Sequence, residues 1–313
     1  MSELKDPFPR GGADLAVDPQ MDPNFRLGLL SALAVLAIWS GFLVVSRAGM
    51  QTSLTAGDIT MLRFAVTGLI FLPFARAWWP RQVPFWGASL MAIVGPGALY
   101  SMLTYLGLGQ TSAAHGGVFT NGAIPLFTLL VMVAVTGLWP GRVQLIALLI
   151  VMAGGVLFAL PGLRISGMET ALGIVLLLLA SALVSIYIFC LSYWNVTPRQ
   201  ALVLVNVPNA LLFLPLWGLF LPSGLAEADV VMIVFQAAYQ ALGPGVLAVV
   251  FFALSATHLG PALTAGFSAA VPVTAALLAL PVLGEALTGL EWVAIGVVTL
   301  GLLLLVRARA KGR

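Results

Sequence analysis

Gly243-Pro244-Gly245, Val271-Pro272, Gly284-Glu285 and the apolar run Trp292 to Val306 follow one another near the end of the chain. Half a chain earlier the same order occurs as Gly95-Pro96-Gly97, Ile124-Pro125, Gly137-Leu138 and the run Leu145 to Leu160. The offset is 148 residues at the Gly-Pro-Gly (243 minus 95) and 147 at the proline (272 minus 125). A spacing that drifts by one residue over half a chain marks an internal duplication.

Composition says what solvent the duplicated unit meets. The 313 residues are 61% hydrophobic and 8% charged, with a mean hydropathy of +1.08, whereas soluble domains carry about 25% charged residues. A helix crosses the roughly 30 Å of bilayer hydrocarbon with about 20 apolar residues. The sequence holds ten such segments, near 27–45, 56–75, 86–108, 114–138, 143–160, 171–193, 201–221, 230–257, 262–283 and 287–306. Residues 1–26, rich in Asp and Pro, read as a disordered cytoplasmic tail without the apolar core of a signal peptide. Residues 307–313 read as a basic cytoplasmic tail. A single Cys190 excludes an internal disulfide, and no Cys/His cluster has metal-ligand spacing.

Charge gives the orientation. With the N-terminus in the cytoplasm, eleven of the fourteen Lys and Arg fall on the inner side, Arg47 and Arg164 on the outer, and Arg63 within a span. The positive-inside rule then puts both termini in the cytoplasm. Each half (27–160 and 161–306) holds five spans. An odd number sends the second half through the membrane from the opposite side, so the expected fold is an all-α, ten-helix, five-plus-five repeat of inverted topology. That is a common build for secondary transporters, with the solute site at the repeat interface near the midplane.

Ten spans in two halves, a proline inside the fourth span of each half, and Pro-x(11)-Gly-Glu from Pro272 to Glu285 before a Gly-containing last span resemble the drug/metabolite transporter superfamily in its EamA-type branch. The resemblance covers about residues 27 to 306. It implies a ten-helix bacterial inner-membrane carrier, often an exporter of amino acids or small metabolites, with a cavity lined by both halves. Within that branch the chain looks most like bacterial amino-acid exporters, including those for aromatic amino acids. One departure is Leu138 where the second half has Glu285, so the acidic residue occurs once.

Polar side chains at membrane depth face partner helices or a watery cavity. Gln236, Tyr239 and Gln240 share one face with Gly243 at i, i+3, i+4, i+7, and Gly97, Tyr100, Ser101 and Thr104 form a matching stripe. Asn121 lies beside Pro125, and Ser268 beside Pro272. With Trp39 and Tyr187, the residues Tyr100, Ser101, Asn121, Gln236, Tyr239, Gln240 and Ser268 are the expected cavity lining. Pro96, Pro125, Pro244 and Pro272 each remove a backbone hydrogen bond and are the expected hinges for alternating access. Arg63, His115, His258 and Glu285 are the candidate coupling or structural charges. Arg63 is expected to pair with Glu285, Glu291 or Asp58, the alternative being a substrate carboxylate, and the two His to lie at the interfaces.

No Asp or Glu falls at mid-span, so the reading favours facilitated export over proton coupling; the alternative is proton-coupled efflux of drugs or hydrophobic cations. Neither G-x-S-x-G nor H-E-x-x-H occurs, which argues against an intramembrane enzyme, and a channel would call for a filter repeat or rings of charge. The expected partners are a small-molecule solute and membrane lipid, with no cofactor, metal or nucleic acid, in a monomer or weak homo-oligomer.

Overall fold

The computed structural model describes residues 24–137 and 139–311, without the side chains of 260–262, 266 and 309–311. Nearly all of the expected N-terminal tail, Leu138 and the end of the basic C-terminal tail lie outside the described residues.

Helices run throughout. The first half comprises α1 (Phe25–Met50), α2 (Ala56–Phe71), a 3-10 turn at Leu72–Phe74, α3 (Ala75–Trp78), α4 (Phe85–Val94), α5 (Ala98–Gln110), α6 (Ala113–His115), a π-helical stretch Gly116–Asn121, α7 (Ile124–Thr136) and α8 (Arg142–Ser166). Then come α9 (Met168–Tyr193), α10 (Pro198–Phe220), α11 (Val230–Leu242), a second π-helical stretch Gly243–Leu247, α12 (Ala248–Ser268), α13 (Val271–Leu283) and α14 (Gly289–Lys311). Among the described residues nine helical stretches are long and apolar enough to cross a membrane. The segment expected over 262–283 is not one of them: its helix is interrupted at Ala269-Ala270, and α13 has only 13 residues. The half-boundary expected at 160/161 falls inside α8. Proline is tolerated in membrane helices where neighbours re-satisfy the backbone, so the helix continues through Pro161 and turns at Gly167, φ 47°.

The duplicated segments have matching local structure. α7 and α13 begin 147 residues apart (271 minus 124), each is 13 residues long, and each has a proline in its first two positions. Each ends on a left-handed glycine, Gly137 at φ 70° and Gly284 at φ 69°. A residue with a Cβ is strained there, so glycine is the residue that closes both helices.

Contacts between elements give their running directions. A Cβ on Gly154 of α8 would meet the Val298 side chain of α14 at 2.7 Å, and one on Gly301 would meet Val151 at 2.7 Å. These four positions are themselves 147 apart (301 minus 154, 298 minus 151). The two helices therefore cross antiparallel and reciprocally, each glycine admitting its partner's valine at close approach. Along α1, Gln236 Nε2 donates to the Val45 carbonyl, Tyr239 Oη donates to the Ile38 carbonyl, and Gly28 abuts His258. From α11 as far as His258 in α12 the chain thus runs antiparallel to α1, and α12 is bent beyond that point. Ser40 bonds to Thr274 and Arg47 to Glu285, so α13 rises parallel to α1. The reversal falls between Ser255 and Thr264, whose hydroxyls lie 2.8 Å apart, although nine residues of straight helix span about 13.5 Å.

The core packs around α1, α5, α9 and α13, with Leu43, Tyr105, Leu108, Leu177 and Ala275 fully buried. Outward-facing Leu69 and Leu212 are 77% and 74% exposed. Such a surface suits lipid, which offers no hydrogen bonds to the backbone, and helices satisfy their own.

Candidate solute site

The four expected hinge prolines all sit at irregular backbone. Pro96 lies in the break between α4 and α5, Pro244 in the second π-helical stretch, and Pro125 and Pro272 at the starts of α7 and α13. Two repeat-related breaks touch: a Cβ on Gly117, in the first π-helical stretch, would come within 2.8 Å of the Pro272 Cα. Backbone groups orphaned by a break need other partners. At Gly95–Gly97, Asn209 Oδ1 accepts from the Ala98 N–H at 2.8 Å, and its Nδ2 donates to the Ala92 carbonyl at 2.9 Å. Arg63 Nη2 donates to the Pro96 carbonyl at 3.2 Å. Ser185 serves the start of α7, donating to the Ile124 carbonyl at 3.1 Å.

The expected cavity residues fall into three groups. Gln236 and Gln240 are fully buried in a network joining α1, α5 and α11. Gln240 Nε2 donates to Ser46 and to Gln236 Oε1, both at 3.1 Å, and Tyr105 Oη donates to Gln240 Oε1 at 3.2 Å. Trp39 and Tyr239, half-buried, flank the same seam, Trp39 stacking on Phe252 at 5.7 Å. On α5, Ser101 is fully buried and Tyr100 half-buried, and Tyr105 of the same helix reaches the glutamines. Tyr187 is buried against Gly95. Asn121 and Ser268 are half-buried next to the breaks before α7 and α13, and no described contact joins them to the other two groups. An apolar groove of about 380 Å³ between α7, α8 and α9, lined by Phe119, Met152 and Leu178 among others, contains none of these residues.

The charges depart most from expectation. Arg63 pairs with no carboxylate among the described residues, because each of the three expected partners is engaged elsewhere. Asp58 caps α2 and accepts from Trp217 Nε1 at 3.0 Å and from the Gly224 N–H at 2.9 Å. Glu291 accepts from Thr288 at the start of α14. Glu285 takes Arg47 Nε at 2.9 Å and the Ala113 N–H at 2.9 Å. Arg47 also donates to the Leu108 and Gly109 carbonyls at the end of α5. One ion pair thus joins the ends of α1, α5 and α13 and the start of α6. His115 is buried in the protein: its ring packs edge-on to Phe158 at 4.8 Å and its Nδ1 bonds Ser112 at 2.7 Å. It is the last residue of the three-residue α6, just after the α5–α6 connection. His258 is half-buried beside Gly28.

Sequence reasoning missed Arg47, Tyr105, Ser46 and the role of Asn209. The signal available for Tyr105 was its i+4 spacing from Ser101, and for Asn209 its polarity within an apolar span.

Comparison with known proteins bears on what such a bundle does. Residues 26–160 match the sequence model of the EamA-like transporter family. No curated protein matches the chain. A solved crystal structure whose title names no activity covers 91% of this chain and 99% of its own, with a TM-score of 0.60 and 18% identity; at that identity the likeness shows the fold alone. Residues 26–160 are thus similar to the EamA-like transporter family, and the long apolar helices of the described residues make a multi-pass membrane protein.

Proposed function

We propose that the chain is a secondary transporter of the bacterial inner membrane that exports amino acids or similar small metabolites. In this reading ten spans form a five-plus-five inverted repeat with both termini cytoplasmic, and the solute is exchanged by alternating access at the interface of the halves. The observation that carries it is the reciprocal, antiparallel contact of Gly154 and Val151 with Val298 and Gly301. Equivalent positions of two repeats that meet this way are related by a two-fold axis lying across the helices, the geometry of inverted repeats. Parity supports the count. α8 is the fifth crossing, and an antiparallel α14 requires an even-numbered one. The reversal between Ser255 and Thr264 supplies the additional crossing, through α13. The Lys/Arg asymmetry supports cytoplasmic termini.

Breaks at Pro96, Pro125, Pro244 and Pro272 give each half two places where the helix bends without losing regular hydrogen bonds elsewhere, which suits rocking of the α4–α7 and α11–α13 segments. The engaged carboxylates of Asp58, Glu285 and Glu291 favour the facilitator over efflux of cations, which needs an acidic group open to the cavity. Cysteines introduced at Gly141 and Ala286, in repeat-related connections, test the topology: a membrane-impermeant thiol reagent is expected to label Gly141→Cys only from the cytoplasmic face and Ala286→Cys only from the outer face. Labelling of both from one face overturns the inversion.

A further inference from the structure

We propose that Arg63 is the receptor for a carboxylate on the transported solute, and that the solute's carboxylate replaces the Pro96 carbonyl that Arg63 holds in its absence. The proposal rests on the transporter reading and names the chemical class of its solute.

Arg63 is the eighth of the sixteen residues of α2 and is 3% exposed. A guanidinium so placed in hydrocarbon is expensive unless paired, and the described residues give it no carboxylate. Of its five N–H donors, Nη2 reaches the Pro96 carbonyl at 3.2 Å, and Nε has no partner. Phe64 and Phe42 lie with ring centroids 5.5 and 5.9 Å from its Cζ, within reach of cation-π attraction but with no acceptor to offer. A purely structural arginine at this depth would have its donors filled, since buried polar groups are almost always hydrogen-bonded.

The neighbouring hydroxyls share the deficit. Ser101 and Thr104, one helical turn apart on α5, are fully buried, and both Ser101 Oγ and Thr104 Oγ1 lack a partner. The Tyr105 hydroxyl lies close enough to interact with both Arg63 and Ser101, and the Tyr100 hydroxyl with Thr104, contacts that fall short of regular hydrogen-bond geometry at Ser101 Oγ and Thr104 Oγ1. A planar fork of N–H donors flanked by under-satisfied hydroxyls is complementary to a carboxylate, which accepts two parallel N–H bonds and further hydroxyl donors on its remaining lone pairs. The site is also joined to a hinge. Pro96 belongs to the Gly95–Gly97 break, so a carboxylate that takes Arg63 releases a carbonyl of that break. The solute then interacts differently with the two arrangements of the hinge, which is the requirement for a ligand to shift a conformational equilibrium.

The test uses the full chain in lipid nanodiscs and thermal melting with graded 3-phenylpropionate, its neutral amide 3-phenylpropionamide, and sodium chloride at matched ionic strength. The expected result is a saturable rise in Tm with 3-phenylpropionate alone. Its apparent affinity should weaken about ten- to a hundred-fold in Arg63→Gln, the loss of charged hydrogen bonds, and by less in Arg63→Lys, which keeps the charge without the fork. Ser101→Ala removes a small hydroxyl whose only neighbour of this kind is Tyr105, leaves the Arg63 charge in place, and is expected to weaken binding several-fold. An equal rise with the amide or with chloride, no rise with 3-phenylpropionate, or unchanged binding in Ser101→Ala and Arg63→Lys would each overturn the proposal. Phenylalanine counterflow in the same preparation separates the two readings. Carboxylate binding without counterflow overturns amino-acid transport and leaves the Arg63 site standing, whereas counterflow that Arg63→Lys and 3-phenylpropionate leave untouched overturns the site alone.

Discussion

Removing the Glu285 carboxylate should loosen one end of the bundle by an amount its contacts define. The Arg47 and Glu285 side chains are 20% and 15% exposed, and their Nε–Oε1 distance is 2.9 Å. Glu285→Ala deletes this charge-assisted bond and strands the Ala113 N–H that Oε2 accepts. A bond to a charged group contributes about 1.5–3 kcal/mol and an unsatisfied buried donor costs about 1–3 kcal/mol. Residual exposure lets water replace part of both, so the expected destabilisation is about 2–4 kcal/mol. Glu285→Gln keeps an oxygen for Ala113 and loses chiefly the charge, for about 1–2 kcal/mol. Arg47→Ala leaves the Leu108 and Gly109 carbonyls at the end of α5 without their donor and should match or exceed Glu285→Ala. Reversible denaturant unfolding in mixed micelles, run on both single variants and the double variant, reads the pair directly: the double variant should fall short of the sum by about 1–2 kcal/mol. Additivity within about 0.5 kcal/mol would mean that the two side chains do not act together, and the reasoning would be refuted.

Other expected outcomes follow from single contacts. Asn209→Ala strands the Ala98 N–H and the Ala92 carbonyl and should cost about 2–4 kcal/mol in the same unfolding assay; Asn209→Leu, nearly isosteric, should not recover it. Gly117→Val puts branched carbon where a Cβ already meets the Pro272 Cα at 2.8 Å, so folded yield in detergent, read by gel filtration, should collapse. Gly137→Ala and Gly284→Ala, at φ 70° and 69° with nothing within 4 Å, should each cost about 1–2 kcal/mol and agree with one another, since the strain is in the backbone alone. Gly301→Leu should disrupt α8–α14 packing, and Gly154→Leu should do so to a similar degree, in melting temperature.

What could be read from sequence was local or periodic. The 147-residue offset located the helix breaks at Pro125 and Pro272 and the glycines that close α7 and α13, because proline and left-handed glycine impose backbone geometry whatever surrounds them. The pairing of charges was illegible for the opposite reason. Arg63, Arg47, Asp58 and Glu285 sit on different helices, and which carboxylate each arginine meets depends on rotation and depth after packing. Gln236 and Gln240 were correctly placed on one face, yet period alone cannot distinguish a face that lines water from one spent on Ser46 and the Val45 carbonyl. His115 lies near the end of its span, as its place in the sequence implies, but its burial against Phe158 depends on packing that the sequence does not display.

Solute counterflow in proteoliposomes tests the central claim most directly. Vesicles containing the purified chain and loaded with unlabelled amino acids should take up trace labelled amino acid in a saturable manner, with and without a pH gradient, because the account places no titratable coupling group at mid-span. Uptake should fall in Trp39→Ala and Tyr239→Ala, which flank the seam between α1 and α11. Exchange of a hydrophobic cation alone, uptake that requires a proton gradient, or a single-channel current in place of saturable exchange would contradict the account.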